Sequence, residues 1–336
     1  MCGRENMKKT IITALWTLFV VSCLTVPAFA QELLLGGQVV GVQISMKGVL
    51  VAGLSQVETA EGSCSPAKDA GVQQGDVILK AGGQTVSKAA DVIAAVEQAQ
   101  GAPVELELER NERAMNMKVQ PARSAEGQWL LGMWLRDGVT GIGTVTFQDP
   151  ESGVYGALGH SVCDSDSGIR LPLDQGSICD AQIIGINPGA VGAPGELNGC
   201  ADMGKTLGSI ELNTDCGIFG ESYGTLGSRK IESGPMATGP ATMISTLSGR
   251  VTGEYQVEIN RIYRDSSGEH ALISVIDPEL LEKTGGIVQG MSGSPLIQNG
   301  KLVGAVTHVF VNDPSRGYAV SIDDMLKAAG IQDKAA

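Results

Sequence analysis

Aromatic side chains are scarce in this 336-residue chain, at 4%, whereas glycine reaches 46 residues. That balance disfavours long helical bundles and favours short strands joined by tight turns. Basic charge is also short: 24 Lys and Arg stand against 37 Asp and Glu, for a formal net charge of −13. Without a basic stripe the chain is a poor candidate for nucleic acid or anionic lipid, and nucleic-acid binding is excluded as its main role. No CxxC pair occurs, and His160-x-x-Cys163 alone is a weak ligand pattern, so neither a metal site nor a cofactor is expected. What is present is enough for a packed globular chain, with 43% hydrophobic and 18% charged residues. The length exceeds what one core usually serves, so two domains are the default.

The first thirty residues differ from the rest. Lys8 and Lys9 precede an apolar stretch from Ile11 to Val26, and Ala28-Phe29-Ala30 supplies small residues around a cleavage point. This is the order of a secretory signal. Trp16 and Phe19 extend its apolar character, which leaves a signal anchor over 1–30 as the alternative. In both cases the body is exported, since no later run is long enough to span a bilayer. Beyond this leader stand Cys64, Cys163, Cys179, Cys200 and Cys216, an odd count. An oxidising compartment permits disulfides among them, but the spacing imposes none. Small buried thiols are the plainer expectation.

Residues 36–123 read as a first, α+β domain. Val39 to Ile44 and Gly48 to Ala52 have strand character, Pro66 opens a helical turn stopped by Gly71, and Gly75 to Leu79 forms a buried strand. Val92, Ile93 and Val96 make the i, i+3, i+4 stripe of a helix over 91–99. The run SPAKDAGVQQGDVIL, with Gly82-Gly83-Gln84-Thr85-Val86 and that helix, resembles a PDZ domain of exported bacterial proteases. The resemblance implies a peptide-binding edge at Val40, Gly41, Val42, Gln43 and Ile44, where an extended peptide adds as a strand.

Residues 124–336 contain no long amphipathic helix before a short C-terminal one at 322–329. Short β-rich runs separated by glycine turns predict an all-β barrel or sandwich. Two segments depart from scaffolding. The first is Gly156-Ala157-Leu158-Gly159-His160, carrying one of only three histidines. Imidazole is the side chain best suited to general base work near neutral pH. Of the others, His270 sits in a polar stretch and reads as a surface residue, and His308 reads as a strand residue beside a core. The second segment is Gly290-Met291-Ser292-Gly293-Ser294-Pro295. A serine nucleophile needs an exposed hydroxyl on a tight turn and nearby backbone N–H groups, which these glycines allow. The hexapeptide matches the nucleophile turn of chymotrypsin-like proteases. That match aligns Ser292 with the nucleophile and the amides of Gly290 and Ser292 with the oxyanion hole.

Taken together, Gly156 to His160, the GGIVQGMSGSPLIQNGKLVGAVTHVFVNDP stretch from Gly285, and the order leader, PDZ, peptidase resemble the SpoIVB peptidase family of endospore-forming bacteria. The resemblance implies a mainly β fold, with an N-terminal signal or anchor, a PDZ domain and a chymotrypsin-like serine peptidase domain. It implies a His, Asp, Ser triad, with His160 and Ser292 matching the family motifs and Asp277 chosen as the third member. Asp215 and Asp164 stand as alternatives. It further implies a protein substrate, a membrane-anchored regulator of a sigma-factor-processing metalloprotease, self-cleavage as a further option, and action between forespore and mother cell. A secreted, non-catalytic peptide-binding adaptor and a general exported quality-control protease are the competing readings.

Overall fold

A computed structural model describes residues 31–331, Glu112 aside, and the leader expected over 1–30 lies outside them. Residues 32–332 cluster as one unit. Among the described residues, no helix is long and apolar enough to cross a membrane. The fold is mainly β.

The C-terminal part is a closed six-stranded barrel of Gly239–Ser248, Val251–Asp265, Gly268–Val275, Asp313–Ser321, Lys301–Phe310 and Pro295–Gln298. Alternate residues along these strands point inward, as the period of two requires, and Met243, Val257, Ile273, Leu296 and Ala319 meet in its core. Closure leaves no sheet edge to protect.

Of the remaining strands among the described residues, thirteen share one large sheet and four form two small hairpins. The large sheet is organised by two sixteen-residue strands, Val39–Leu54 and Met133–Gln148, paired antiparallel from Thr144↔Val39 to Met133↔Leu54. This ribbon serves two cores. At one end Val40, Val42 and Ile44 pack with Val145, Tyr155, Ala157 and Ile178. At the other, Val49 and Val51 pack with Ile78, Val92, Val96, Leu106 and Leu108, and Met133 and Leu135 lean on the same cluster. The second cluster is the PDZ core. Its helix, Ala89–Gln98, begins with Asp91 accepting the backbone N–H groups of Ser87 and Lys88, and buries Val92 and Val96. Asp76, fully buried, is held by Arg110 through Nε at 2.6 Å and Nη2 at 2.7 Å. A bidentate guanidinium is what lets a carboxylate be tolerated there.

Val40, Val42 and Ile44, expected at the start of the first domain, pack in the core on the peptidase side of the ribbon, and Leu33 and Leu35 pack with Phe147, Phe219, Leu302 and Val320. From Glu32 the chain therefore runs through the peptidase sheet, out along the ribbon into the PDZ core, and back along Met133–Gln148.

Candidate active site

His160 and Ser292 come from different parts of the chain and line one cleft of about 480 Å³. His160 follows the strand Val154–Ala157, on a turn in which Leu158 takes φ 68° and Gly159 φ 70°. A leucine in the left-handed region is costly, and such strain persists where surrounding structure enforces it. Here the Leu158 N–H donates to Thr144 O at 3.2 Å.

Ser292 sits on the turn between the helix Pro278–Thr284 and the strand Pro295–Gln298. Gly293, at φ 92°, is required: a Cβ there would lie 2.1 Å from Thr144 O and 2.5 Å from Leu158 N. The turn is tied to the ribbon by the Thr144 N–H donating to Ser292 O at 3.0 Å, and by the Thr144 hydroxyl donating to Gly290 O at 2.9 Å. The Thr146 hydroxyl adds a bond to Gly293 O at 2.8 Å. The structure also separates the two serines of the motif. Ser294 is fully buried with its hydroxyl on Ser245 Oγ, whereas Ser292 faces the cleft. Among the described residues, the N–H groups of Gly290 and Ser292 have no hydrogen-bond partner within the protein. Two unpaired amides beside the nucleophile are what an oxyanion hole needs.

The Ser292 hydroxyl donates to Thr307 O at 2.7 Å and is not bonded to His160 in this state. His160 Nδ1 lies 2.7 Å from Ser161 O. A carbonyl only accepts, so Nδ1 carries the proton and Nε2 keeps the basic lone pair. Burial, then the neighbouring His308, push the His160 pKa down to about 4, against a small upward pull from Ser161 O. No carboxylate contributes to that shift.

The three candidates for an orienting carboxylate lie elsewhere. Asp277, the expected third member of the triad, is the N-cap of Pro278–Thr284, accepting the N–H of Leu280 at 3.0 Å and of Gln256 at 3.2 Å, outside the lining of the cleft. Asp215 is exposed and paired with Arg170 at 3.1 Å. Asp164 is buried at the cleft wall, but its carboxylate serves Ser167 and Arg136. Sequence reasoning missed His308. Its ring lies 4.4 Å from that of His160, centroid to centroid and tilted 35°, and it lines the same cleft. No local signal marks it, because the strand that carries it is remote in sequence from His160.

The expected PDZ peptide edge has no free side in the structure. Val40 to Ile44 pair on one flank with Gly143 to Val139 and on the other with Asp180 to Gly176. A strand bonded on both sides has no free edge to offer a peptide. An apolar groove of about 310 Å³ lies instead between the helix Ala89–Gln98 and residues 129–135, with Val92, Ile93, Leu131 and Met133 in its walls. Met133 to Leu135 have a strand partner on one side only among the described residues. The five cysteines outside the leader are unpaired thiols, two of them buried, and the described residues hold no group of three or more metal-ligating side chains.

Comparison with known proteins gives a PDZ domain match over residues 60–110. A Clostridium perfringens (strain 13 / Type A) protein named as a zinc metalloprotease is 35% identical over 69 residues, which is 20% of this chain and 21% of that protein. The chain thus matches about a fifth of that relative's length. Among solved structures, the Rv3671c protease of M. tuberculosis in its active form is similar at 14% identity and a TM-score of 0.34, over 59% of this chain and 78% of that one. An HtrA-type protease, AlgW, with a decapeptide, is similar at 14% identity and 0.33, over 59% and 54%. The model of the SpoIVB peptidase S55 family matches residues 127–326, more than half of the sequence and the whole stretch that carries His160 and Ser292. The chain belongs to the SpoIVB peptidase S55 family, and is a serine endopeptidase.

Proposed function

We propose that Ser292 is the nucleophile and His160 the general base of an exported peptidase that cuts one extended segment of a protein substrate. The observation that carries this is the cleft itself, where the only exposed hydroxyl of the GMSGSP turn, the unprotonated Nε2 of His160 and two unpaired amides converge. Rotation of the Ser292 side chain away from Thr307 O turns its hydroxyl toward His160. Nε2 then takes the hydroxyl proton as Oγ bonds the scissile carbonyl carbon, and the carbonyl oxygen becomes an oxyanion facing the Gly290 and Ser292 N–H groups. Collapse breaks the C–N bond while His160 passes its proton to the leaving amine. Water, deprotonated by the same nitrogen, releases the acyl group and restores the Ser292 hydroxyl.

The family resemblance supports a narrower role: cleavage of a membrane-anchored regulator of a sigma-factor-processing metalloprotease, in the space between forespore and mother cell. The groove beside Ala89–Gln98 would hold an extended apolar peptide and present the substrate to the cleft. The test is labelling with a fluorophosphonate probe followed by mapping. Label on Ser292, lost in Ser292→Ala and retained in Ser294→Ala, is the expected result. Cleavage of protein substrate by purified Ser292→Ala protein would sink the proposal.

A further inference from the structure

We infer that Ile287 is a specificity-determining residue of this peptidase: it closes the floor of the acyl-side pocket and so restricts cleavage to bonds that follow a small aliphatic residue. The inference rests on Ser292 being the nucleophile and on the Gly290 and Ser292 amides receiving the oxyanion. That reading places the substrate. The scissile carbon bonds Ser292 Oγ, its oxygen faces the two amides, and the leaving nitrogen faces His160, which hands it a proton. The side chain of the acyl-side residue is then left with the cleft beside Thr307, whose carbonyl meets the Ser292 hydroxyl, and beside the segment that enters the turn. In those two stretches the apolar residues that line the cleft are Ile287, Val288 and Val309.

Ile287 decides how deep that space runs. Its Cδ1 lies against the backbone of Gly317, where even a Cβ would come within 2.6 Å of it. Gly317 stands opposite Val309 in the pairing of Lys301–Phe310 with Asp313–Ser321. The tip of Ile287 therefore fills the hollow that a glycine opens in the strand behind the cleft, and Val309 leans on the same core cluster. A residue the size of Ala or Val rests on this floor, whereas an aromatic ring needs the volume that Ile287 takes. The floor is also fixed in place. The Ile287 N–H donates to Pro314 O at 2.8 Å, the Gln289 N–H to Gly195 O at 2.9 Å, and the Leu197 N–H to Gln289 O at 2.9 Å. A close-packed side chain on so anchored a backbone does not swing aside for a larger guest. Charge is refused for a different reason. Among the described residues no Lys, Arg or Glu lines the cleft, and the one Asp that does, Asp164, is bonded to Ser167 and Arg136. A lysine or glutamate side chain in this space loses its water without gaining a counter-charge.

The experiment uses the full chain and peptidyl diphenyl phosphonates that differ only in the acyl-side residue: Ala, Val, Leu, Phe, Lys or Glu. Ser292 Oγ displaces one phenoxide from phosphorus, its proton passes to His160, and the rate of mass gain reads how well each side chain fits. The wild type should react with the Ala and Val probes at least about tenfold faster than with the Phe, Lys and Glu probes, the discrimination a pocket of fixed volume gives. Ile287→Ala should raise the Phe rate and lower the Val-to-Phe ratio by about tenfold or more. Ile287→Val, which keeps most of the packing, should move the ratio the same way by a smaller step. A thermal melt and labelling by a small alkyl fluorophosphonate, which carries no acyl-side residue, show that each variant is folded and has its nucleophile. A wild type that prefers the Phe, Lys or Glu probe would overturn the inference, as would an unchanged Val-to-Phe ratio in a variant that melts and labels normally. Failure of the small fluorophosphonate to label Ser292 in the wild type is a different result: it removes the serine reading, and the inference with it.

Discussion

Replacing Asp277 by Asn separates a helix cap from a catalytic carboxylate with unusual sharpness. An amide oxygen caps a helix about as well as a carboxylate does, so the N–H of Leu280 keeps its acceptor, while the amide nitrogen takes the place of the oxygen that accepts from Gln256. The charge near the helix N-terminus, about 0.3–1 kcal/mol, and the Gln256 hydrogen bond, about 0.5–1.5 kcal/mol, are lost. Asp277→Ala removes the cap as well and leaves two donors to water. That should cost about 1–2 kcal/mol and lower the melting temperature by a few degrees. For a catalytic third member the ranking would be reversed: the Asn change alone lowers turnover on the order of 10⁴-fold, because the imidazole adopts the wrong tautomer. In this structure the His160 tautomer is set by Ser161 O instead. The assay is kcat per fluorophosphonate-titrated site, measured beside a thermal melt for each variant. We expect Asp277→Asn within about threefold of wild type, and Asp277→Ala with a lower melt but similar kcat per folded site. A 10³-fold or larger loss in the Asn variant at an unchanged melt would refute the placement of Asp277 outside the catalytic machinery.

Two further predictions rest on single positions. With the His160 pKa down near 4, kcat/KM for free enzyme should stay level from pH 7 to about 5 and fall only below that, whereas a limb centred at 6.5 would contradict the burial argument. Stability follows the same sign: the unfolded imidazole binds its proton near 6.5 and the folded one near 4, so the stabilising contribution is full above 6.5 and is lost as pH falls through that window, readable as a declining urea midpoint. Gly41→Val should destabilise the peptidase sheet by about 1–3 kcal/mol or more, since even a Cβ would lie 2.6 Å from Ala201 Cβ and Cys179 Sγ. Cleavage of a short peptide and of a protein should then fall together; a normal melt with loss of protein cleavage alone would return the peptide edge to Val40–Ile44.

Much of this molecule is legible in local sequence. The Pro66 turn, the strand after Gly75 and the helix expected over 91–99 appear as Pro66–Asp69, Val77–Ala81 and Ala89–Gln98, because periodicity, capping and glycine stops act over a few residues. The GMSGSP turn is legible for the same reason, its glycines being required by positive φ and close backbone approach. What a strand pairs with is not local. Val39 to Ala52 reads as two short strands of a PDZ domain, yet it is one strand whose two ends enter different cores. Alternating burial looks the same whichever sheet supplies the neighbour. Asp277 is ambiguous in a similar way, since Asp-Pro is the sequence of a capped helix start as much as of a turn near a nucleophile, and here it caps Pro278–Thr284. His308 carries no local mark at all, because its approach to His160 is made by segments remote in sequence.

The ribbon also explains why the PDZ core and the cleft belong to one compact unit. Met133 and Leu135 lean on the PDZ core, Thr140 to Ile142 line the cleft, and Thr144 and Thr146 bond the nucleophile turn, all along the single strand Met133–Gln148. Shifting that strand by one residue would exchange every inward and outward side chain, so its register is fixed at both ends by burial. The turn carrying Ser292 is therefore held by hydrogen bonds from a strand whose far end is fixed by another core. The five-residue loop from Gly290 to Ser294 keeps its shape because the ribbon does.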